Sequence, residues 1–288
     1  MVRPSVSFEF FPPKSLQASF RLWETAKALA VFDPSFVSVT YGAGGTTRKL
    51  TREAVDALRS NLNLNVAAHL TCVDATRDEI RAMARTYANS SVSEIVALRG
   101  DPPSGSSGFE AHPDGFGSSV EMIEALKQEG DFNIRVGAYP DTHPDAQNPA
   151  AGIDYLKRKF EAGADSAITQ FFFEADSFFR FRDACAKAGI ENPIIPGVLP
   201  IENWSKTRGF AQRCGAFISP QVKDMFETAL RDDRHDLMAI AHATELCDTL
   251  LEGGVDHLHF YTLNAPTMTR DVCVALGLTP KVDLAQVA

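Results

Sequence analysis

Ser166-Ala-Ile-Thr-Gln-Phe-Phe-Phe-Glu-Ala-Asp-Ser-Phe-Phe-Arg-Phe-Arg-Asp-Ala-Cys-Ala-Lys-Ala-Gly-Ile-Glu-Asn-Pro-Ile-Ile-Pro-Gly-Val-Leu199 carries one strand–helix–strand unit. Ser166–Phe172 is short and β-rich, and Phe178–Ala188 has helical period, with Ser177 as the expected N-cap and Gly189 as the stop. Ile194–Leu199 then begins the next strand. The pattern recurs along the chain. Strand-like runs lie at Val6–Phe11, Phe36–Tyr41, Val66–Cys72, Glu94–Leu98, Ile134–Ala138 and Leu258–Leu263. Helical stretches fall at Gln17–Leu29, Thr51–Leu62, Arg77–Tyr87 (capped by Thr76) and Val120–Glu129. Repeating strand-then-helix about eight times predicts parallel crossovers closed into a (β/α)8 TIM barrel. An open doubly wound sheet competes, but it rarely runs so many consecutive units without an antiparallel edge. Two more helical segments, around Pro220–Leu230 and Asp236–Leu251, read as extra helices inserted before the last strand. No Gly/Ser-rich or Pro-rich linker divides the chain, so residues 1–288 are expected to form a single barrel domain.

Composition narrows the class of function. Hydrophobic residues make up 44% and charged residues 23%, as in ordinary globular proteins, which excludes a disordered chain. Lys and Arg number 28 against 37 Asp and Glu, a net charge of −9, so nucleic acid is an unfavoured partner. Five scattered cysteines with no CxxC pair fit a reducing, cytoplasmic setting. The first residues are too polar for a signal segment, and no apolar run is long enough to predict a membrane span.

Several polar residues stand where a barrel strand or rim should be apolar. In Val6-Ser-Phe-Glu-Phe-Phe11, period two sends Phe8 and Phe10 to one face and Glu9 with Ser7 to the other, toward the barrel mouth. A carboxylate there must be paired with a barrel Lys or Arg, or have a raised pKa suited to a general acid. Asp101 follows the fourth strand after Gly100, placed either to meet a ligand or to open an Asx turn into Pro102-Pro103. Gln170 offers an amide to a heterocycle edge or to buried backbone. His69 and His143 reach the same rim, without the ligand spacing of a metal site; no metal is expected. His235 and His242 read as surface residues. Tyr41-Gly-Ala-Gly-Gly-Thr-Thr is a weak match to a dinucleotide fingerprint and reads better as a rim loop. The basic turn Leu156-Lys-Arg-Lys-Phe is either a solvated face or a pyrophosphate clamp. Gly100–Ser118 is close to 18 residues long, well beyond the usual ~2–6 for such a connection, as functional loops often are.

Taken together, Phe8-Glu-Phe-Phe-Pro-Pro-Lys, Phe36-Val-Ser-Val-Thr-Tyr-Gly, His69-Leu-Thr-Cys, Ala97-Leu-Arg-Gly-Asp, Ile168-Thr-Gln-Phe-Phe-Phe, Ile195-Pro-Gly-Val-Leu-Pro and His259-Phe-Tyr-Thr-Leu-Asn resemble, in order, the bacterial-type 5,10-methylenetetrahydrofolate reductases. The resemblance runs from about Val6 to about Leu276. The resemblance implies that the chain is expected to end where the catalytic barrel does, unlike longer eukaryotic enzymes with a regulatory domain for S-adenosylmethionine. The resemblance implies FAD as cofactor and NADH or NADPH as donor. It further implies a small-molecule folate substrate, a homo-oligomer, and a place in one-carbon metabolism and methionine biosynthesis. It assigns Glu9 as the acid and Asp101 to flavin tuning and pterin binding. FAD contacts carried over are Thr40, Tyr41, His69, Arg99, Gly100, Asp101, Ser119, Tyr139, His143, Ala146, Arg158 and Lys159. Substrate contacts are Gln170, Lys206, Phe210 and Leu263. The family's Arg after the Thr-Leu-Asn motif is replaced here by Ala265, followed by Pro266, and Lys206 stands where the family often has Gln. The same site run in reverse, as a methyltetrahydrofolate oxidase, or a non-redox folate-binding barrel are the alternatives.

Overall fold

The computed structural model describes residues 3–41, 47–101 and 109–279. In chain order the elements are β1 (Ser5–Phe10), α1 (Leu16–Ala30), β2 (Phe36–Val39), α2 (Arg48–Leu62), β3 (Val66–Thr71), α3 (Arg77–Asn89) and β4 (Glu94–Leu98). There follow α4 (Ser119–Glu129), β5 (Asn133–Ala138), α5 (Pro149–Glu161), β6 (Ser166–Thr169), α6 (Ala175–Lys187), β7 (Ile194–Ile195) and β8 (Gly197–Val198). The chain continues with α7 (Trp204–Cys214), α8 (Pro220–Arg231), α9 (His235–Glu252), β9 (His257–Tyr261) and α10 (Pro266–Ala275).

The strands form one parallel sheet in the order β7-β6-β5-β4-β3-β2-β1-β9-β8. β7 and β8 are the two halves of a single stave, interrupted at Pro196. Proline has no N–H to give the ladder, but its carbonyl still accepts from His259 N at 3.0 Å. β7 bonds to β6 and β8 to β9, so this broken stave closes an eight-stave barrel. The expected rim loop at Gly42–Thr46 and the Pro102-Pro103 turn lie outside the described residues.

Alternation along the strands sorts side chains as the sequence predicts. Phe8 and Phe10 pack outward into the main core beneath the helices, while Phe36, Ala67, Val96, Ile168 and Ile195 fill the barrel interior. Thr76 caps α3 in a reciprocal capping box with Glu79. Gly189, at φ +78, ends the segment after α6, a conformation that costs glycine little. Ser177 is not a cap. The buried stripe of α6 begins at Ala175, so Glu174 takes the cap position and the Ser177 hydroxyl accepts from Arg180 Nη2 at 3.3 Å.

The insertion is also differently composed. α9 packs against α6 and α10 as the shell helix of its unit, and α7 and α8 form the excursion. These two helices enclose a separate core of Phe171, Phe173, Leu199, Ile201, Trp204 and Phe226 just beyond the ends of β6 and β8. Trp204 stacks on Phe226 with centroids 4.7 Å apart. His235 and His242 are not surface residues, because both rings pack against Phe226 and His242 Nε2 lies 3.0 Å from the Phe173 carbonyl.

Candidate active site

Glu9 sits near the C-terminal end of β1, its side chain only 17% exposed. Among the described residues its charged partners are neither Lys nor Arg. His69 Nε2 from β3 lies 3.4 Å and His259 Nε2 from β9 lies 3.9 Å from the same carboxyl oxygen, Oε2. Burial raises the Glu9 pKa, with His69 pulling weakly the other way, and burial lowers that of His69. Each group is thus driven toward its neutral form. A raised pKa favours the protonated carboxyl.

His259 and Tyr261 were missed by the sequence reading. The signal was available: the alternation that turns Glu9 inward does the same for His257, His259 and Tyr261 in His257-Leu-His-Phe-Tyr261. Tyr261 pairs in register with Glu9, and its hydroxyl donates to Thr169 O at 2.6 Å. Burial holds His257 down to about 4 and His259 down to about 3. In the unfolded chain these rings take up protons below the ordinary value of 6.5, whereas in the fold they do not. Stability is therefore present above pH 6.5 and lost as the pH falls toward 4. The loss is expected to reach about 2 kcal/mol per ring between pH 6.5 and 5. Urea unfolding at pH 7 and pH 5 measures it, and equal unfolding free energies would contradict the burial of neutral rings.

A cationic side of the mouth comes from the ends of β4 and β5. Lys159 is buried, donates to Gly137 O at 2.8 Å, and has its pKa lowered to about 8 by burial and by the charge of Arg99. Arg99 pairs with Asp145 at 2.7 Å. Tyr139 and His143 meet edge to face at 4.5 Å, and Ala146 N donates to the His143 carbonyl at 2.9 Å. Asp101 is exposed and close enough to Tyr139 to raise its phenol, after burial, to about 12. Gly100 has φ +88, and a Cβ there would meet Val73 Cγ1 at 2.5 Å, so glycine is required. The basic turn of α5 faces three ways: Lys157 bonds to Ala188 O, Arg158 is exposed beside Tyr155, and only Lys159 turns inward. Ser119 is buried at the start of α4, 3.0 Å from the Tyr155 hydroxyl.

The opposite side is aromatic. Phe210 of α7 packs against Phe171 with centroids 5.1 Å apart. Gln170 directs its carbonyl oxygen to Phe171 N at 3.0 Å. Leu263 and Asn264 both have positive φ. Asn264 clips this turn to β1 through two 2.9 Å bonds to the Phe11 backbone, and Leu263 remains exposed. Lys206 is exposed on α7. Thr40 lies at the end of β2, its carbonyl held by Thr51, whereas the Tyr41 hydroxyl lies against Met83 in the helical layer. Among the described residues, no cluster of three or more His, Cys, Asp and Glu is arranged to hold a metal.

Residues 2–277 match the family model described as methylenetetrahydrofolate reductase. The chain belongs to the methylenetetrahydrofolate reductase family. It is an oxidoreductase of the 5,10-methylenetetrahydrofolate reductase kind, 42% identical over 277 residues to the Salmonella typhimurium 5,10-methylenetetrahydrofolate reductase, covering 96% of this chain and 92% of that one. The Escherichia coli 5,10-methylenetetrahydrofolate reductase is likewise 42% identical, over 278 residues, with the same coverage. The reductase barrel is also similar in fold to a solved Clostridium thermocellum protein described as binding two copies of 5-methyl-5,6,7,8-tetrahydrofolic acid. That similarity has a TM-score of 0.64 at 14% identity, covering 96% of this chain and 95% of that one. No helix of the described reductase residues is long and apolar enough to cross a membrane.

Proposed function

We propose that the chain reduces 5,10-methylenetetrahydrofolate to 5-methyltetrahydrofolate in a ping-pong cycle, with bound FAD, NADH or NADPH as donor, and Glu9 as the general acid. The observation that carries this reading is the half-buried Glu9 carboxyl, its pKa raised, between a cationic and an aromatic side of one barrel mouth. The donor set fits FAD. Lys159 is buried against the Gly137 carbonyl and the Tyr155 ring, with a second cation, Arg99, close enough to lower its pKa, an arrangement that an anionic pyrophosphate would relieve. When bound, the flavin supplies a two-electron hydride carrier between donor and folate.

In this reading Arg99 and Lys159 hold the pyrophosphate, and Arg158, exposed beside Tyr155, reaches it from the rim. Thr40, Tyr41, His69, Gly100, Ser119, Tyr139, His143 and Ala146 enclose the rest of the cofactor, Tyr41 through its backbone. Asp101 and Gln170 orient the pterin, Phe210 covers a ring face, and Leu263 and Lys206 border the folate pocket. The imidazolidine ring opens only after its leaving nitrogen gains a proton, which Glu9 holds in readiness. Stopped-flow mixing of the flavin-loaded protein with NADH or NADPH, then with methylenetetrahydrofolate, tests the cycle. Flavin absorbance should bleach and then return. A preparation that takes up no flavin, or a reduced flavin that the folate does not reoxidise, would overturn it.

Ala265 is half-buried at the start of α10, three residues after Thr262, whose carbonyl accepts its N–H at 2.8 Å. Ala265→Arg would place a cation beside Leu263. Its expected effect is a lower folate Michaelis constant, by roughly fivefold for one charge-assisted contact of about 1 kcal/mol, with kcat unchanged. An unchanged Michaelis constant would remove Ala265 from the path of the folate tail.

A further inference from the structure

α7 borders the mouth, and most of its charge is unused by the chemistry described so far. It carries Lys206, Arg208 and Arg213, and among the described helices it alone has no Asp or Glu, in a chain whose net charge is −9. Lys206, Phe210 and Arg213, spaced four and three apart, share one side of the helix. Phe210 packs on Phe171 in the aromatic wall, and the Arg213 guanidinium lies 5.8 Å from the centre of the Phe210 ring. The end of α7 is fixed at the rim. Phe217 N donates to Asp141 at 3.0 Å, and burial together with the Asp101 charge raises the Cys214 thiol to about 11. Lys206 and Arg213 are both exposed, and among the described residues neither has an ion pair. On the next side of the helix, Ser205, Arg208, Gly209, Gln212, Ala216 and Phe217 line a groove of about 500 Å³. Its one ion pair leaves a cationic surplus, because Glu227 meets Arg208 at 3.2 Å and Lys223 at 4.0 Å. Gly209 separates the two sides as a low saddle, where a Cβ would meet only Arg213 Nη1, at 3.7 Å.

We propose that Arg213 and Lys206 bind the carboxylates of the folate's first glutamate, and that a poly-γ-glutamate extension crosses Gly209 into the groove to meet Arg208 and Gln212. The inference rests on the reading of the mouth as a folate site. A reduced folate is a pterin joined through an aminobenzoyl ring to glutamate, and each further γ-linked glutamate adds one carboxylate. With the pterin at Glu9 and the aminobenzoyl ring against Phe210, the glutamate leaves the mouth beside α7. The start of α10 on the other flank reads Ala265-Pro-Thr-Met-Thr269 and offers it no charge. One exposed cation holds a carboxylate only weakly, since water and salt screen the pair. Several cations along one tethered chain act together, because each contact raises the effective concentration of the next carboxylate. The Gln212 amide donates to a carboxylate without needing a charge of its own. A side chain at position 209 would obstruct the crossing, and glycine inside a helix costs about 1 kcal/mol. α7 thereby selects folates by the length of their tails.

Calorimetric titration of the flavin-loaded protein with 5-methyltetrahydrofolate tests this without relying on turnover. The ligand is used with a single glutamate and with a chain of γ-linked glutamates. The long-tailed form is expected to bind about tenfold more tightly, with the advantage shrinking as salt is raised. Arg213→Gln should weaken both forms about fivefold. Arg208→Gln, and Gly209→Glu, which sets a carboxylate in the crossing and favours the helix, should each abolish the advantage of the long tail. Lys187→Gln, at the end of α6 away from the mouth, controls for lost charge and should leave both affinities as they were. Equal binding of the two forms would overturn the tail site, as would a Gly209→Glu protein that keeps the full advantage. The 2′-phosphate of NADPH offers the same anionic chemistry, and stopped-flow reduction of the flavin separates the two sources. If Arg213→Gln raises the half-saturating NADPH concentration but not that of NADH, and leaves folate binding intact, the cations serve the donor and the proposal falls. If neither folate binds, the reading of the mouth fails with it; if the short form binds and the long one gains nothing, only the tail site fails.

Discussion

Glu9→Gln is expected to lose folate reduction by about a hundredfold or more while leaving reduction of the bound flavin by NADH or NADPH near its original rate. The amide keeps the size and polarity of the carboxyl but has no proton acidic enough for the leaving nitrogen. The donor half of the cycle needs no such proton, so it should be spared. The same substitution carries a control on folding. Burial raises the Glu9 pKa, so the folded state holds its proton more tightly than the unfolded one. The stability contributed by the protonated carboxyl is full below the ordinary value of 4.5 and is lost as the pH rises through the raised value. Glutamine does not ionise and escapes that loss. At pH 8 the variant should therefore unfold at the same or a higher denaturant concentration than the unaltered protein. Near-normal methylenetetrahydrofolate reduction by this variant would end the acid assignment. A lower unfolding midpoint would mean that the carboxyl is a structural partner of His69.

Gly197→Ala is expected to destabilise the barrel by about 3 kcal/mol. A Cβ on Gly197 would stand 2.2 Å from Thr169 O and 2.6 Å from Tyr261 Cε2. Neither can retreat freely. Thr169 O accepts the Tyr261 hydroxyl at 2.6 Å, and Gly197 N itself donates to Thr169 Oγ1 at 2.9 Å. The clash falls where the broken stave closes the sheet, so relief must open the β6 side or move the ring that lies opposite Glu9. Gly137→Ala is the control, because a Cβ there meets only side chains at ordinary contact distance, Leu98 Cδ2 at 3.4 Å and Tyr139 Cε2 at 3.9 Å. That change should alter stability by less than about 1 kcal/mol. Chemical denaturation of the two variants measures the contrast. Equal midpoints would show that the closure is looser than its contacts indicate.

The eight staves could be read along the chain because each strand and helix is signalled locally. Short β-rich runs stop at Gly, Pro or Asp, and helical stripes begin at caps such as Thr76. Glu9 was legible for the same reason, since one residue of alternation decides which face a side chain takes. Local signals misled where packing overrode them. Ser177 has the chemistry of a cap, but the buried stripe of α6 starts two residues earlier at Ala175. Trp204–Cys214 carries no comparable local signal, because its apolar partners, Phe171, Phe173 and Phe226, come from the segment after β6 and from α8 rather than from its own neighbours. Which of α8 and α9 belongs to the barrel shell depended on contact with α6 and α10.

The order of elements, the parallel barrel and an inward carboxylate on its first strand were thus written in short-range pattern. What surrounds that carboxylate was not. Ser7 and His259 are 252 residues apart in the chain, yet their side chains meet at 2.8 Å. Only closure of the sheet sets the last strand beside the first, and the stagger between those two strands, which no local periodicity encodes, chooses the groups that share the space beneath Glu9.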